Sequence, residues 1–199
     1  MSIALLLIEF QNEWLSPDGK LFSLIENQAD LNAVTHRAES VLLSARELKL
    51  QVIHSGLSFN PGHPELGHAS SGLRKHIADA NTFVAGLSGA AFSKRFKPND
   101  NEHVVQGRTG ASAFSGSNLE AYCRHNQIHT LYVMGFALHV CVESTLRAAH
   151  DLGFNVVLIE DASAAFNRAQ HDYVLQNVIK HFGEAISSNQ FIQHTRTHA

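Results

Sequence analysis

The 199-residue chain is short of cysteine, of net charge and of long apolar runs, and each shortage removes a class of protein. Two cysteines cannot build a disulfide framework, so a reducing, cytoplasmic compartment is expected. Fifteen Lys and Arg against eighteen Asp and Glu leave a formal charge of −3, which supplies no basic field for nucleic acid. No Lys/Arg-rich helix suits a membrane surface, and no segment is long enough to span a bilayer. The apolar opening, Ile3 to Ile8, is too short for a signal-peptide core, lacks a basic flank and runs straight into Glu9. The partners left are small molecules and further copies of the chain.

What the chain does have is 44% hydrophobic residues, enough to bury one sizeable core in a single domain, 1–199. Apolar runs of strand length occur at Ile3–Ile8, Gln51–His54, His103–Gln106, Thr130–Met134 and Asn155–Ile159. They lack clean alternation, as strands covered on both faces do. Between them lie helical patterns. One is capped at Asp30 and runs through Leu48, with Leu31, Val34, Ala38, Val41, Leu42 and Ala45 at three-four spacing. A shorter one is capped at Ser117 and reaches Asn126, another runs from Cys141 to Leu152 and is closed by Gly153. The last spans Asn167 to Gly183 and leaves Ala185–Ser187 as a sixth strand. Alternating strands and helices predict an α/β fold, a three-layer αβα sandwich around a mainly parallel sheet of about six strands. The long irregular stretch from Ser55 to Asn101 is of a length that carries function or an interface.

The segment Gly135-Phe136-Ala137-Leu138-His139-Val140-Cys141-Val142 follows a buried-strand pattern. It places Cys141 in the first turn of a helix beyond the carboxyl end of a strand, where open α/β sheets bind ligands and where free amides favour a thiolate. Two more strand ends carry Glu9 and Arg108, so a carboxylate, a cation and a thiol are available together. Cys123, with no such setting, reads as a core residue.

With Glu9-Phe10-Gln11-Asn12, with Arg108 six residues before Phe114 in Ser112-Ala113-Phe114, and with Gly135 through Val142, the chain resembles the isochorismatase-like cysteine hydrolases, which include nicotinamidases. The resemblance runs from Ala4 to Ile192. Glu9 stands where the family has Asp, Arg108 where it has Lys, and Leu138 where it usually has Thr. It implies a cofactor-free hydrolase cleaving a carbon–nitrogen bond of a small amide-like substrate through a covalent thioester-type intermediate. Cys141 is then the nucleophile, Glu9 the general base and Arg108 its electrostatic partner. The amides of Ala137, Leu138 and Cys141 are implied oxyanion donors, with a cis peptide between Phe136 and Ala137.

Trp14, Phe59, Phe114, Leu138 and His139 are candidate pocket residues, and His139 is also an alternative base because an imidazole titrates near neutrality. His54, His63 and His68 invite a metal reading. However, the Asp-x-His element of the related metal amidases is missing, since Val52 and Pro61 precede His54 and His63 by two, so no metal is expected. The run Phe59 to Glu65 resembles a loop that contacts a neighbouring subunit, implying a homo-oligomer. Three alternatives stay open: a catalytically silent, ligand-binding member of the same fold, an isochorismate-type hydrolase and a metal-dependent amidase. Fold alone does not choose among them.

Overall fold

A computed structural model describes residues 2–197; Met1, His198 and Ala199, the outermost positions of the expected 1–199 domain, lie outside the described residues. Six parallel strands form one sheet: β1 (Ser2–Ile8), β2 (Gln51–Ser55), β3 (His103–Val104), β4 (Ile128–Gly135), β5 (Asn155–Ile159) and β6 (Glu184–Ile186). Their spatial order is β3-β2-β1-β4-β5-β6, so the winding direction reverses between β1 and β4. Leu7 of β1 stands beside His54 of β2 on one side and Met134 of β4 on the other.

The helices are α1 (Asn12–Leu15), α2 (Gln28–Glu47), α3 (Gly72–Ala80), α4 (Leu119–His125), α5 (Glu143–Asp151), α6 (Arg168–Tyr173), α7 (Ile179–Phe182) and α8 (Ser188–Thr197). They cover both faces of the sheet. Leu5 and Leu7 pack with Val34, Val41 and Leu42 of α2 and Phe191 of α8, while Leu6 and Ile8 pack with Cys123 of α4, Leu146 of α5 and Ile179 of α7. Leu5, Leu6, Leu7 and Ile8 are wholly buried, which explains why β1 shows no alternation: each side chain contributes ~1.5–3 kcal/mol by leaving water, whichever face it joins. Among the described residues no helix is long and apolar enough to cross a membrane.

The sequence-predicted boundaries move where local hydrogen bonds differ from pattern. Asn27, not Asp30, caps α2, accepting from the amides of Ala29 and Asp30 at 3.1 and 3.3 Å. Strand β3 stops at Val104 because Gln106 pairs with Asn118, its amide donating to Asn118 Oδ1 at 2.9 Å and its carbonyl accepting from the Asn118 amide at 3.1 Å. The segment before α5 is a π-turn, Leu138–Val142, in which the Val142 amide reaches back five residues to the Ala137 carbonyl at 3.2 Å. Cys141 therefore sits late in a wide turn rather than in the first turn of an α-helix.

Candidate active site

The winding reverses between β1 and β4, and the carboxyl ends of the strands at such a reversal are where doubly wound sheets take ligands. The chain leaves β1 at Glu9 in a left-handed conformation, φ 57°, and the Glu9 amide donates to the Ser55 carbonyl at 2.8 Å. β4 ends at Gly135, where a Cβ would lie 2.1 Å from the Ile8 carbonyl oxygen at φ 143°, so only glycine lets the two strands stay this close. The Phe136–Ala137 peptide that follows is cis. Ser163 fixes this exit by accepting from the Gly135 amide at 3.1 Å, and the Ala164 amide donates to the Gly135 carbonyl at 3.1 Å.

Glu9, Arg108 and Cys141 converge here, 1%, 3% and 3% exposed. Arg108 Nη2 donates to Glu9 Oε1 at 2.6 Å, and the Trp14 indole Nε1 donates to Glu9 Oε2 at 3.0 Å. The Cys141 thiol lies within electrostatic reach of both Glu9 and Arg108, the Glu9 carboxylate pushing its proton affinity up and the Arg108 guanidinium pulling it down. The remaining guanidinium donors are spent on the protein: Nε on the Gly110 carbonyl at 3.1 Å, Nη2 also on the Ala111 carbonyl at 2.6 Å, and Nη1 on Ser55 at 3.4 Å. A guanidinium held at every edge is a fixed cation, with no fork left over for a substrate carboxylate.

Burial, reinforced by the neighbouring Glu9 carboxylate, raises the Cys141 thiol well above the ordinary range, and Arg108 offsets this only in part. This corrects the expectation of a thiolate favoured by a helix start. In a water-poor site the neutral thiol wins, so the resting Cys141 carries its proton, and any attack by its sulfur would need a base beside it.

Three further site expectations change. The Leu138 amide donates to the Ala164 carbonyl at 2.8 Å and is not available to an oxyanion, leaving the amides of Ala137 and Cys141 as candidate donors. Leu138 itself is wholly buried in the same apolar cluster as Cys141. Phe59 is buried in the opposite cluster, its backbone bridged to Val84 and its ring 5.5 Å from His63. Phe114 stacks on Phe154 at 5.7 Å, and Phe154 precedes β5 at the end of the sheet opposite the triad. Phe114 is a packing ring, and Phe59 shares its cluster with Trp14. Trp14 is the aromatic candidate that reaches the site.

His139 is half-buried, edge-on to Phe166 at 4.5 Å, and lines a 310 Å³ cavity with Glu143, Ala169, Gln170 and Tyr173. Burial pulls its imidazole down and Glu143 opposes this. His54 Nε2 lies 2.8 Å from Glu102 Oε2, and His63 Nε2 lies 2.7 Å from the Thr82 carbonyl, so each has a protein partner. His68 sits apart, in a groove with Arg74, Lys75 and Asp79. Among the described residues no group of three or more His, Cys, Asp or Glu side chains could hold a metal ion.

Four polar residues that the sequence reading did not single out frame the site. Buried Gln11 donates to the carbonyls of Leu57 and Ala90 at 2.7 and 2.6 Å and accepts from the Leu57 amide at 2.9 Å, pinning the long loop at two distant points. Glu13 accepts from the amides of Lys20 and Phe83 at 2.9 and 3.1 Å. Thr145 donates to the Cys141 carbonyl at 2.7 Å and accepts from the Ala113 amide at 2.9 Å, tying the thiol's turn to the loop that carries Arg108. Ser163 holds Gly135 as described. Of these only Gln11 had a sequence signal, its place in the Glu9-to-Asn12 run; the others bond to backbone brought near by folding alone.

Comparison with known proteins agrees with this architecture. The family model described as Isochorismatase domain matches residues 3–190. The chain is similar to the uncharacterized isochorismatase family protein YrdC of Bacillus subtilis (strain 168), 40% identical over 101 residues that cover 49% of this chain and 54% of that one. It thus spans about half the length of that relative. Over a longer span it is 27% identical to the ureidoacrylate amidohydrolase RutB of Methylobacterium radiotolerans, covering 90% of this chain and 74% of RutB. Among solved structures, a cysteine hydrolase from Pseudomonas syringae pv. phaseolicola 1448A shares the fold with a TM-score of 0.86 at 18% identity, covering 99% of this chain and 93% of that one.

Proposed function

The chain belongs to the isochorismatase family, and from that premise we propose that it is a cysteine hydrolase cleaving a carbon–nitrogen bond of a small amide-like substrate. One observation carries the reading: the Cys141 thiol feels both the Glu9 carboxylate and the Arg108 guanidinium that bonds it, three almost inaccessible groups brought together from the end of β1, the loop after β3 and the turn after β4. The amidohydrolase name of RutB supports the bond class.

In this mechanism Cys141 Sγ attacks the carbonyl carbon while Glu9 takes the thiol proton, so the thiolate exists only as the new bond forms. The oxyanion accepts from the amides of Ala137 and Cys141. Collapse breaks the carbon–nitrogen bond, and Glu9 returns the proton to the departing amine, leaving a thioester. Water, deprotonated by Glu9, then releases the acid and restores the thiol. Arg108 stays charged throughout and cannot shuttle a proton at neutral pH; it holds Glu9 and opposes the upward shift of the thiol. With its donors spent, Arg108 favours a neutral acyl group over a carboxylate at this position. No step calls for a Lewis acid.

The reading extends to a homo-oligomer, through the likeness of the Phe59 to Glu65 loop to a subunit-contact loop, which light scattering of the purified protein measures directly, and to a cytoplasmic location through the low cysteine content. The test of function is an amide panel combined with intact-protein mass spectrometry after rapid acid quench. Turnover and a mass increase equal to the acyl group, absent in Cys141→Ala, support it. The 3% exposure of Cys141 favours a second reading, a ligand-binding member without turnover, which a panel giving binding but neither product nor adduct would establish.

A further inference from the structure

Glu9 is one methylene longer than the Asp that the family resemblance leads one to expect, and it leaves β1 with a left-handed backbone. A longer carboxylate has an extra rotatable bond, so bringing its oxygen to a thiol at a fixed place costs more side-chain entropy. Proton transfer needs that oxygen within hydrogen-bond reach, and an error of ~1 Å can cost ~100-fold in rate. Something has to remove the added freedom, and Arg108 binds only Oε1, about which the carboxylate can still swing.

Trp14 supplies the second point. Its indole N–H donates to Oε2 at 3.0 Å in a site where both residues are almost wholly buried. The indole is itself immobilised, stacked on Phe136 at 6.3 Å and 21° and flanked by Phe166 at 6.0 Å. Phe136 is the residue before Ala137, so the same ring that holds the base also touches the turn carrying the nucleophile. We propose that Trp14 is a positioning residue: with Arg108 it fixes the Glu9 carboxylate at two points and aims it at Cys141.

This rests on the hydrolase reading for its catalytic meaning, but not for its geometry, and the test separates the two. Trp14→Phe keeps an aromatic ring and removes the donor. Because Trp14 is the chain's single tryptophan, a benzothiophene analogue of tryptophan, with sulfur in place of the N–H, removes the donor while keeping the fused ring. Both proteins are assayed for kcat and KM on the best amide of the panel, and for alkylation of Cys141 by iodoacetamide at pH 7 to 8, with Cys123 as internal control. The expected result in both is a fall in kcat of about 10-fold with KM within about twofold, and a fall of about fivefold in Cys141 labelling with Cys123 unchanged. If Trp14 only walls the pocket, KM rises while kcat and labelling hold, and the proposal is overturned. Should Trp14→Phe fail to fold, the analogue decides by the same readouts. A wild-type protein that turns over no amide overturns the hydrolase reading alone, and the labelling rates still decide the position of Glu9.

Discussion

Two buried carboxylates in this chain are each held by an arginine, and only one of them sits beside a thiol. At the sheet edge, Glu102 accepts from Arg46 Nε at 2.7 Å and Arg46 Nη2 at 2.9 Å, from His54 at 2.8 Å and from the Asn99 amide at 2.9 Å. Burial pushes its carboxyl up, yet Arg46, Asn99 and His54 together outweigh this and hold it at about 2. His54 is pulled down by burial more than Glu102 raises it, so the neutral ring donates through Nε2 and its Nδ1 is left bare. Glu102 is a saturated anion that joins α2, β2 and the loop before β3. Glu9 has one protein donor on each oxygen, which leaves lone pairs able to receive a proton. The number of donors around a buried carboxylate thus separates a saturated staple from a carboxylate that keeps room for a proton, since both have their arginine.

The sharpest way to break this comparison is to remove the thiol. Cys141→Ala should lower turnover by about 10,000-fold or more, the scale on which enzymes lose a covalent nucleophile, and leave thermal unfolding nearly unchanged. Steady-state assays beside calorimetry check both halves, and a folded Cys141→Ala with near-native turnover would make the Glu9 cluster a second staple. Shortening the base comes next. Glu9→Asp withdraws the carboxylate by about 1.5 Å from donors now at 2.6 and 3.0 Å, and turnover should fall by about 100-fold. Adding Arg108→Lys should restore part of it, because the smaller, titratable ammonium lets the carboxylate reseat. If Glu9→Asp alone raises amidase activity, Glu9 is no adapted base and the ligand-binding reading gains.

The staple has its own signature, smaller and in stability. A carboxyl depressed in the folded state contributes stability that is full above its unfolded pKa and lost as pH falls through the folded value. Glu102, at about 2 against an ordinary 4.5, should therefore give a plateau above pH 4.5 and a decline of about 2 kcal/mol between pH 4.5 and 2 once solvent screening is allowed for. Urea unfolding of Glu102→Gln should show lower stability at pH 7, that segment of the slope flattened and turnover within about threefold of wild type. A large loss of turnover would erase the distinction between the two clusters.

The parallel sheet was legible because buried strands write themselves as unbroken apolar runs, and Glu9, Arg108 and Cys141 follow one, four and six residues after β1, β3 and β4 stop. Helices with few buried positions were not. α3 buries only Ile77 and opens at Gly72 in a positive-φ conformation, so no stripe or cap announces it. α8 is a polar segment whose docking rests on buried Phe191 and Thr195. Within the site, Trp14 read as a wall because composition reports an aromatic ring but not the direction of its N–H. The Leu138 amide read as free because its acceptor, Ala164, lies 26 residues away in sequence and meets it only through the loop after β5. The protonated thiol was hidden for the same reason: helix position is local, burial is not.

The smallest expected effect belongs to metal removal, and it tests the edge cluster rather than the triad. His54 and Glu102 are a histidine and a carboxylate in contact, the pairing from which a metal site is built, so a reader of the sequence could place an ion there with His63 and His68. The geometry works against it. His54 Nε2 is spent on Glu102, His63 Nε2 lies against the Thr82 carbonyl, and Glu102 already takes Arg46, whose guanidinium would face the ion across the same carboxylate. A cation there would have to displace a guanidinium bonded at 2.7 and 2.9 Å, exchanging one compensated charge for another at the cost of a partly buried arginine left without its carboxylate. Activity and bound metal measured before and after exhaustive chelation should agree within error, and urea midpoints should not move. Loss of turnover restored by zinc, manganese or iron would move the chain toward the metal-dependent amidases. A fallen midpoint with turnover intact would instead make the edge cluster a structural metal site, and in either case donor count would no longer distinguish the two carboxylates.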